Sequence, residues 1–148
     1  MSSNNKKNIT IGRGLVAGIA EGEALVSRES LVWSHGVDPT TGKIDDVRVS
    51  ICGECVKDKI LIYPIGKGST SGATWMLEAV RCGNGPKAII NNETELIIVA
   101  GAVLSQKLYG KNIPVIDRTD KDLTEEIKTG DIVRVDGVKG IVEVVKRV

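Results

Sequence analysis

The chain has 148 residues, a formal net charge of +1, 41% hydrophobic and 26% charged residues. That is one domain's worth of chain with enough apolar residues for a core. Balanced charge excludes the clustered basic excess of a nucleic-acid-binding or polybasic membrane-surface protein, and the longest apolar runs are far too short to cross a bilayer.

The N-terminus, Met1-Ser2-Ser3-Asn4-Asn5-Lys6-Lys7-Asn8, has no apolar stretch of the secretory type. Residues 1–10 are read as a disordered tail and residues 11–148 as a single domain. Eighteen Val and 17 Ile stand against 9 Leu, which favours strands. Ile9, Ile11, Leu15 and Val16 read as one strand. The Gly18-Ile19-Ala20 turn separates it from a second at residues 21–27. A third short apolar piece is Leu31-Val32-Trp33. Residues 34–46 form a long loop, with turn formers at Asp38-Pro39 and Thr41-Gly42.

Residues 59–65 then read as a strand, followed by the small-residue loop Gly66-Lys67-Gly68-Ser69-Thr70-Ser71-Gly72. Ala73, Met76, Leu77 and Val80 recur at i, i+3, i+4 and i+7, the face of an amphipathic helix. Ser69, Thr70 or Ser71 is placed to cap its start and Gly83 to end it. Residues 87–91 are the next strand, so the unit is a parallel crossover. Residues 95–100 read as another strand, broken at Gly101, with residues 102–109 as a two-turn helix ended by Gly110. Residues 113–117 follow as a strand whose Pro114 belongs at an edge or a strand start. Residues 123–128 make a helical turn, and residues 132–135 and 141–145 pair as a hairpin. The fold class is α/β, β-rich, with two main crossover helices.

The loop before the first helix carries the chemistry. A helix start presents unpaired N–H groups and about half a positive charge. Lys67 and the hydroxyls of Ser69, Thr70 and Ser71 lie there, which describes a carboxylate or phosphate site. The phosphate loop of nucleotide-binding proteins is excluded, because Gly68 separates Lys67 from Ser69. Cys52 and Cys55 form a Cys-x-x-Cys pair, but no helix start follows, and Cys82 and His35 complete no known zinc spacing. Three cysteines, an odd number, read as free thiols in a reducing, cytoplasmic compartment. His35, the only histidine, lies in the turn-rich loop as a weak candidate for substrate contact.

In order, the chain carries Gly12-Arg13, Gly22-Glu23-Ala24-Leu25-Val26, Gly36-Val37-Asp38-Pro39-Thr40-Thr41-Gly42, Gly66-Lys67-Gly68-Ser69-Thr70, Pro86-Lys87-Ala88-Ile89-Ile90 and Gly101-Ala102. Together these resemble the small, swivelling subunit of the aconitase X family. The resemblance implies a swivelling β/β/α domain like the C-terminal domain of aconitases. It implies a hydro-lyase that dehydrates a small hydroxy acid, either 5-phosphomevalonate or cis-3-hydroxy-L-proline. It implies a larger partner subunit that carries the iron–sulfur cluster, with no metal held by this chain; in some members the two are fused. Ser69 takes the place of the family's proton-accepting serine. Lys67 would stabilise its alkoxide or a substrate carboxylate, and Gly68, Thr70, Ser71 and His35 would contact substrate. Lys67 with Gly-Ser-Thr-Ser-Gly is nearer the phosphomevalonate type, whereas Lys107-Leu108-Tyr109-Gly110-Lys111 looks like the amino-acid type. Two other readings use the same residues: a phosphohistidine carrier labelled at His35, and an anion-binding module without catalysis.

Overall fold

A computed structural model describes residues 8–67 and 70–148, with Lys67 described by its backbone. In chain order the strands are β1 (Ile9–Ile11), β2 (Arg13–Val16), β3 (Ile19–Val26), β4 (Leu31–Val32), β5 (Ile60–Tyr63) and β6 (Gly66–Lys67). Then come α1 (Ser71–Arg81), β7 (Ala88–Asn91), α2 (Leu96–Tyr109), β8 (Val115–Asp117), α3 (Leu123–Glu126), β9 (Ile132–Asp136) and β10 (Ile141–Lys146).

Eight strands form one sheet in the order β1-β10-β9-β3-β5-β7-β8-β2. The run β3-β5-β7-β8 is parallel, and the pairings outside it are antiparallel. β3 joins the two halves: residues 19–23 pair with β9 and residues 24–26 with β5. The first strand, read from sequence as one, is two. β1 and β2 stand at opposite borders of the sheet with only Gly12 between them. The sheet therefore rolls up until its borders meet. Gly12 N donates to Gly140 O at 2.7 Å, and side chains at Gly14 and Gly137 would strike the carbonyls of Gly137 and Val16. Backbone lies directly on backbone along this seam, which is why the chain needs glycine there. β1 also begins at Ile9, inside the stretch read as tail.

The alternation of side chains across β5 and β7 splits the core in two. Ile60, Ile62, Ala88 and Ile90 join Val133, Val135, Val142, Leu123 and Ile127 in one cluster. Leu61, Tyr63 and Ile89 join Met76, Ala79, Val80, Ile98 and Ala102 under the two crossover helices in the other. Strands buried on both faces read as continuous apolar runs, as β5 and β7 do.

α1 starts and ends where the sequence placed it, with Cys82 as C-cap and Gly83 at φ 80°. The strand expected at residues 95–100 is instead the first half of α2. A short apolar run does not by itself distinguish strand from helix. Here the parallel pairing of β7 with β8 demands a crossover, and the run is absorbed into it. Gly101 does not break this helix. It lets α2 close on α1, since a Cβ there would sit 2.8 Å from Met76 Sδ. Gly110 ends α2 in the left-handed conformation, φ 65°. Pro114 immediately precedes β8, at the strand start that its missing N–H requires.

The loop after β4 is a packed lobe. Trp33, Val37, Ile44, Val49, Ile51 and Val56 bury into the helix-side core, and the bridges Val37↔Ile44 and Lys43↔Cys55 tie it. β4 pairs in parallel with β6, Leu31 opposite Gly66 and Val32 opposite Lys67. No helix among the described residues is long and apolar enough to cross a membrane.

Candidate active-site mouth

In parallel α/β sheets, ligands bind beyond the carboxyl ends of the strands, where the crossover helices begin. Here β5 ends at Tyr63, β7 at Asn91 and β8 at Asp117, and α1 and α2 both start at that border. The β4–β6 pair fixes the backbone of Lys67 at the mouth. Gly68 and Ser69, the next two residues, lie outside the described residues, as does the Lys67 side chain. Thr70 and Ser71 are exposed at the head of α1. Thr70 is the N-cap residue, but its backbone is helical (φ −56°, ψ −21°) and its side chain makes no capping bond. Of the three hydroxyls read as possible caps, that of Thr70 forms none, its helical backbone being unsuited to it, and Ser69 lies outside the described residues.

Two sequence-distant groups meet this helix start. The Ser34 and Ser71 hydroxyls are 2.6 Å apart. His35 follows in the left-handed region, φ 61°, and its ring stacks obliquely on Trp75, with centroids 4.6 Å apart and planes at 58°. His35 is exposed and Ser34 is nearly buried. The structure thus brings Ser71 and the Ser34-His35 turn together. Ser34 and Trp75 escaped sequence reasoning. A serine beside a flagged histidine has no distinguishing signal, and Trp75 lies off the apolar helix face.

The floor of the mouth is polar and tied down. Trp33 Nε1 donates to the Tyr63 hydroxyl at 3.3 Å, and burial pushes the Tyr63 phenol up to about 12, so it stays neutral. The Asn91 side chain donates to the Tyr63 carbonyl at 3.0 Å and accepts from the Thr94 hydroxyl at 3.1 Å. Glu95, the N-cap of α2, makes no capping bond. Its carboxylate instead lies against Gly66, where any Cβ would collide with it, and burial raises its pKa. Asp117 is fully buried. Burial alone would raise its pKa, but Arg13 donates to it twice, at 2.9 and 2.8 Å, and the Thr94 N–H once, at 2.9 Å. These hold it below the usual carboxylate range. Arg118 makes a matching fork to Glu93, at 2.9 and 2.8 Å. The 92–95 loop that presents Glu95 is therefore anchored from two sides.

A cavity of about 400 Å³ lies at the opposite end of the parallel strands, against Asp58, Pro86, Lys87 and Lys111. None of Lys67, Thr70, Ser71 or His35 lines it. The cysteines do not suit an iron–sulfur cluster. Cys52 and Cys55 sit in the lobe, where Cys55 Sγ donates to Thr41 O at 3.4 Å, and Cys82 caps the far end of α1. No group of three or more His, Cys, Asp or Glu among the described residues could hold a metal ion.

Comparison with known proteins agrees with this geometry. The family described as the aconitase X swivel domain matches residues 9–144. The phosphomevalonate dehydratase small subunit of Methanosarcina acetivorans is 41% identical over 91% of this chain and 90% of its own length. That of Pyrococcus furiosus is 44% identical over 90% of this chain and 93% of its own. The crystal structure of Thermococcus kodakaraensis aconitase X, in its holo form, superposes with a TM-score of 0.84 at 40% identity, covering 93% of this chain and 98% of that one.

Proposed function

Because this chain belongs to the aconitase X swivel-domain family, we propose that it is the small subunit of a phosphomevalonate dehydratase. On this reading it is a hydro-lyase component that works only with its large subunit. Identity of 41–44% to relatives of that name supports phosphomevalonate over hydroxyproline as substrate. The observation that carries the reading is the place of the head of α1 and of the Lys67 backbone at the mouth, the two flanking residues 68 and 69 in sequence.

Dehydration removes a proton and a hydroxide from adjacent carbons. The large subunit's iron–sulfur cluster supplies Lewis-acid chemistry toward the hydroxide. This chain supplies the base. A serine hydroxyl is too weak an acid to act as one in water. An alkoxide at residue 69 is favoured by the positive end of α1 and by the Lys67 ammonium, in a mouth that the partner closes to solvent. Ser69 thereby takes the proton as the general base. The N–H groups of the first helical turn hold the anionic end of the substrate with Gly68 and the Thr70 and Ser71 hydroxyls. His35, at the rim, contacts the substrate's exposed side.

The test is to purify the chain with its large subunit and assay both acids. The complex should dehydrate 5-phosphomevalonate, and the small subunit alone should be inactive. Ser69→Ala should lower kcat by at least about a hundredfold, the lower range for a lost general base, with the complex intact by size exclusion. Full activity in that variant would end the assignment of Ser69. Activity on cis-3-hydroxy-L-proline alone would end the assignment of substrate.

A further inference from the structure

Resting on that reading, we propose that the outer face of α2 is the surface on which the large subunit docks, continuous with the mouth that it closes. A surface helix normally turns polar residues to water, as α1 does with Thr74 and Arg81. α2 does not. Its buried stripe is Ile98, Gly101, Ala102 and Ser105. The opposite stripe is Leu96, Ala100, Val103 and Lys107, at i, i+4, i+7 and i+11, and all four are exposed. Leu96 is 84% exposed, and Leu108 on the flank is 61% exposed. No charged residue occurs from 96 to 106. A helix that is apolar all round belongs in a buried setting, and nothing among the described residues covers this side.

The position of the stripe selects its occupant. Leu96 is the first residue of α2, directly after Glu95, whose carboxylate lies against Gly66. The next residue, Ile97, sits 3.5 Å from where a Cβ on Gly72 of α1 would be. The stripe therefore begins at the mouth, beside the head of α1, and runs back along the molecule. At about 1.5 Å per residue α2 is about 21 Å long, and a face about 10 Å wide on it covers roughly 200 Å². A standard interface takes about 800 Å² from each partner. The stripe alone is too small to hold a second copy of this chain, and a second copy that also spanned the mouth would occupy the place of the large subunit. One body that covers mouth and stripe together meets both demands. The surface it presents to α2 is apolar, with a carboxylate opposite Lys107.

The experiment titrates the purified chain with its large subunit and reads the affinity. Leu96→Asp should weaken binding at least about tenfold, the worth of burying one exposed leucine. Adding Val103→Glu should abolish co-elution in size exclusion. An acidic side chain is favoured at a helix start, so Leu96→Asp should keep the wild-type Tm of the small subunit, and its weaker binding is then not a folding defect. Val138→Asp, exposed on the β9–β10 turn at the end of the sheet away from the mouth, should bind like wild type. Wild-type affinity in the Leu96→Asp/Val103→Glu variant would overturn the proposal. So would a wild-type chain that is dimeric by light scattering and monomeric in that variant, since a second copy would then be the occupant. If the wild-type chain binds no large subunit at all, the functional reading itself falls, and this inference with it.

Discussion

Asp117 keeps its charge in a place where water does not reach it, and the reason is one guanidinium. Arg13 supplies a two-pronged donor, and the Thr94 amide adds a third bond. A carboxyl held below its ordinary pKa of 3.8 stabilises the fold above that pH, and the contribution disappears as pH falls through the lowered value. Arg13→Gln should therefore melt earlier than wild type at pH 7, and the gap should close as pH falls below about 4. Thermal melts at a series of pH values check this; a gap that widens on acidification contradicts it. Such single-residue facts divide sharply in legibility. Thr70 and Ser71 showed their place, at a helix start, already in the sequence. Ser34, Glu95 and Asp117 did not, because their partners lie 37, 29 and 104 residues away in sequence. A pairing of that kind exists only once the sheet has brought the segments together.

At the scale of elements, the turn from Trp33 to Gly36 and helix α2 teach opposite lessons. Residues 34–46 are read from sequence as a long turn-rich loop, yet Ser34 and His35 at its start pack beside α1. Gly36 is needed because the chain doubles back onto the Val32 carbonyl. Gly36→Ala should cost about 1–3 kcal/mol through overpacking and lower Tm; an unchanged Tm would show that the turn yields easily. The first half of α2 reads as a strand because Leu96, Ile97, Ile98 and Val99 form a short apolar run, in which periodicity does not tell strand from helix. Only topology decides there, since two parallel neighbours cannot be linked without a crossover. α1, by contrast, was legible from end to end. Its apolar residues fall on one stripe, and Gly83 with Pro86 marks its end.

Over the whole molecule, the parallel strands are the mechanical centre. Leu61 lies on β5, flanked by β3 and β7 and covered by both crossover helices. Leu61→Ala should cost about 2–5 kcal/mol, read from chemical denaturation of the small subunit; a loss below 1 kcal/mol would mean that the helix layer collapses to fill the gap. The class of fold was legible from the valine and isoleucine bias and the strand–helix–strand periodicity. The rolling of the sheet was not, because it depends on Gly12, Gly14, Gly137 and Gly140 meeting backbone to backbone. Nothing in a lone glycine says which distant carbonyl it will touch.

The pairing directions around β3 have one more consequence. β9 runs against β3, β10 against β9 and β1 against β10, so Lys146 and the start of β1 share the border on which β3 and β5 finish. Val144 N bonds to Asn8 O at 2.9 Å, which sets the start of β1 and the end of β10 side by side. A covalent tether leaving from either one would emerge on the side that bears the mouth. A fused polypeptide could then be linked through the front end or the back end and still present the same surface to its other half.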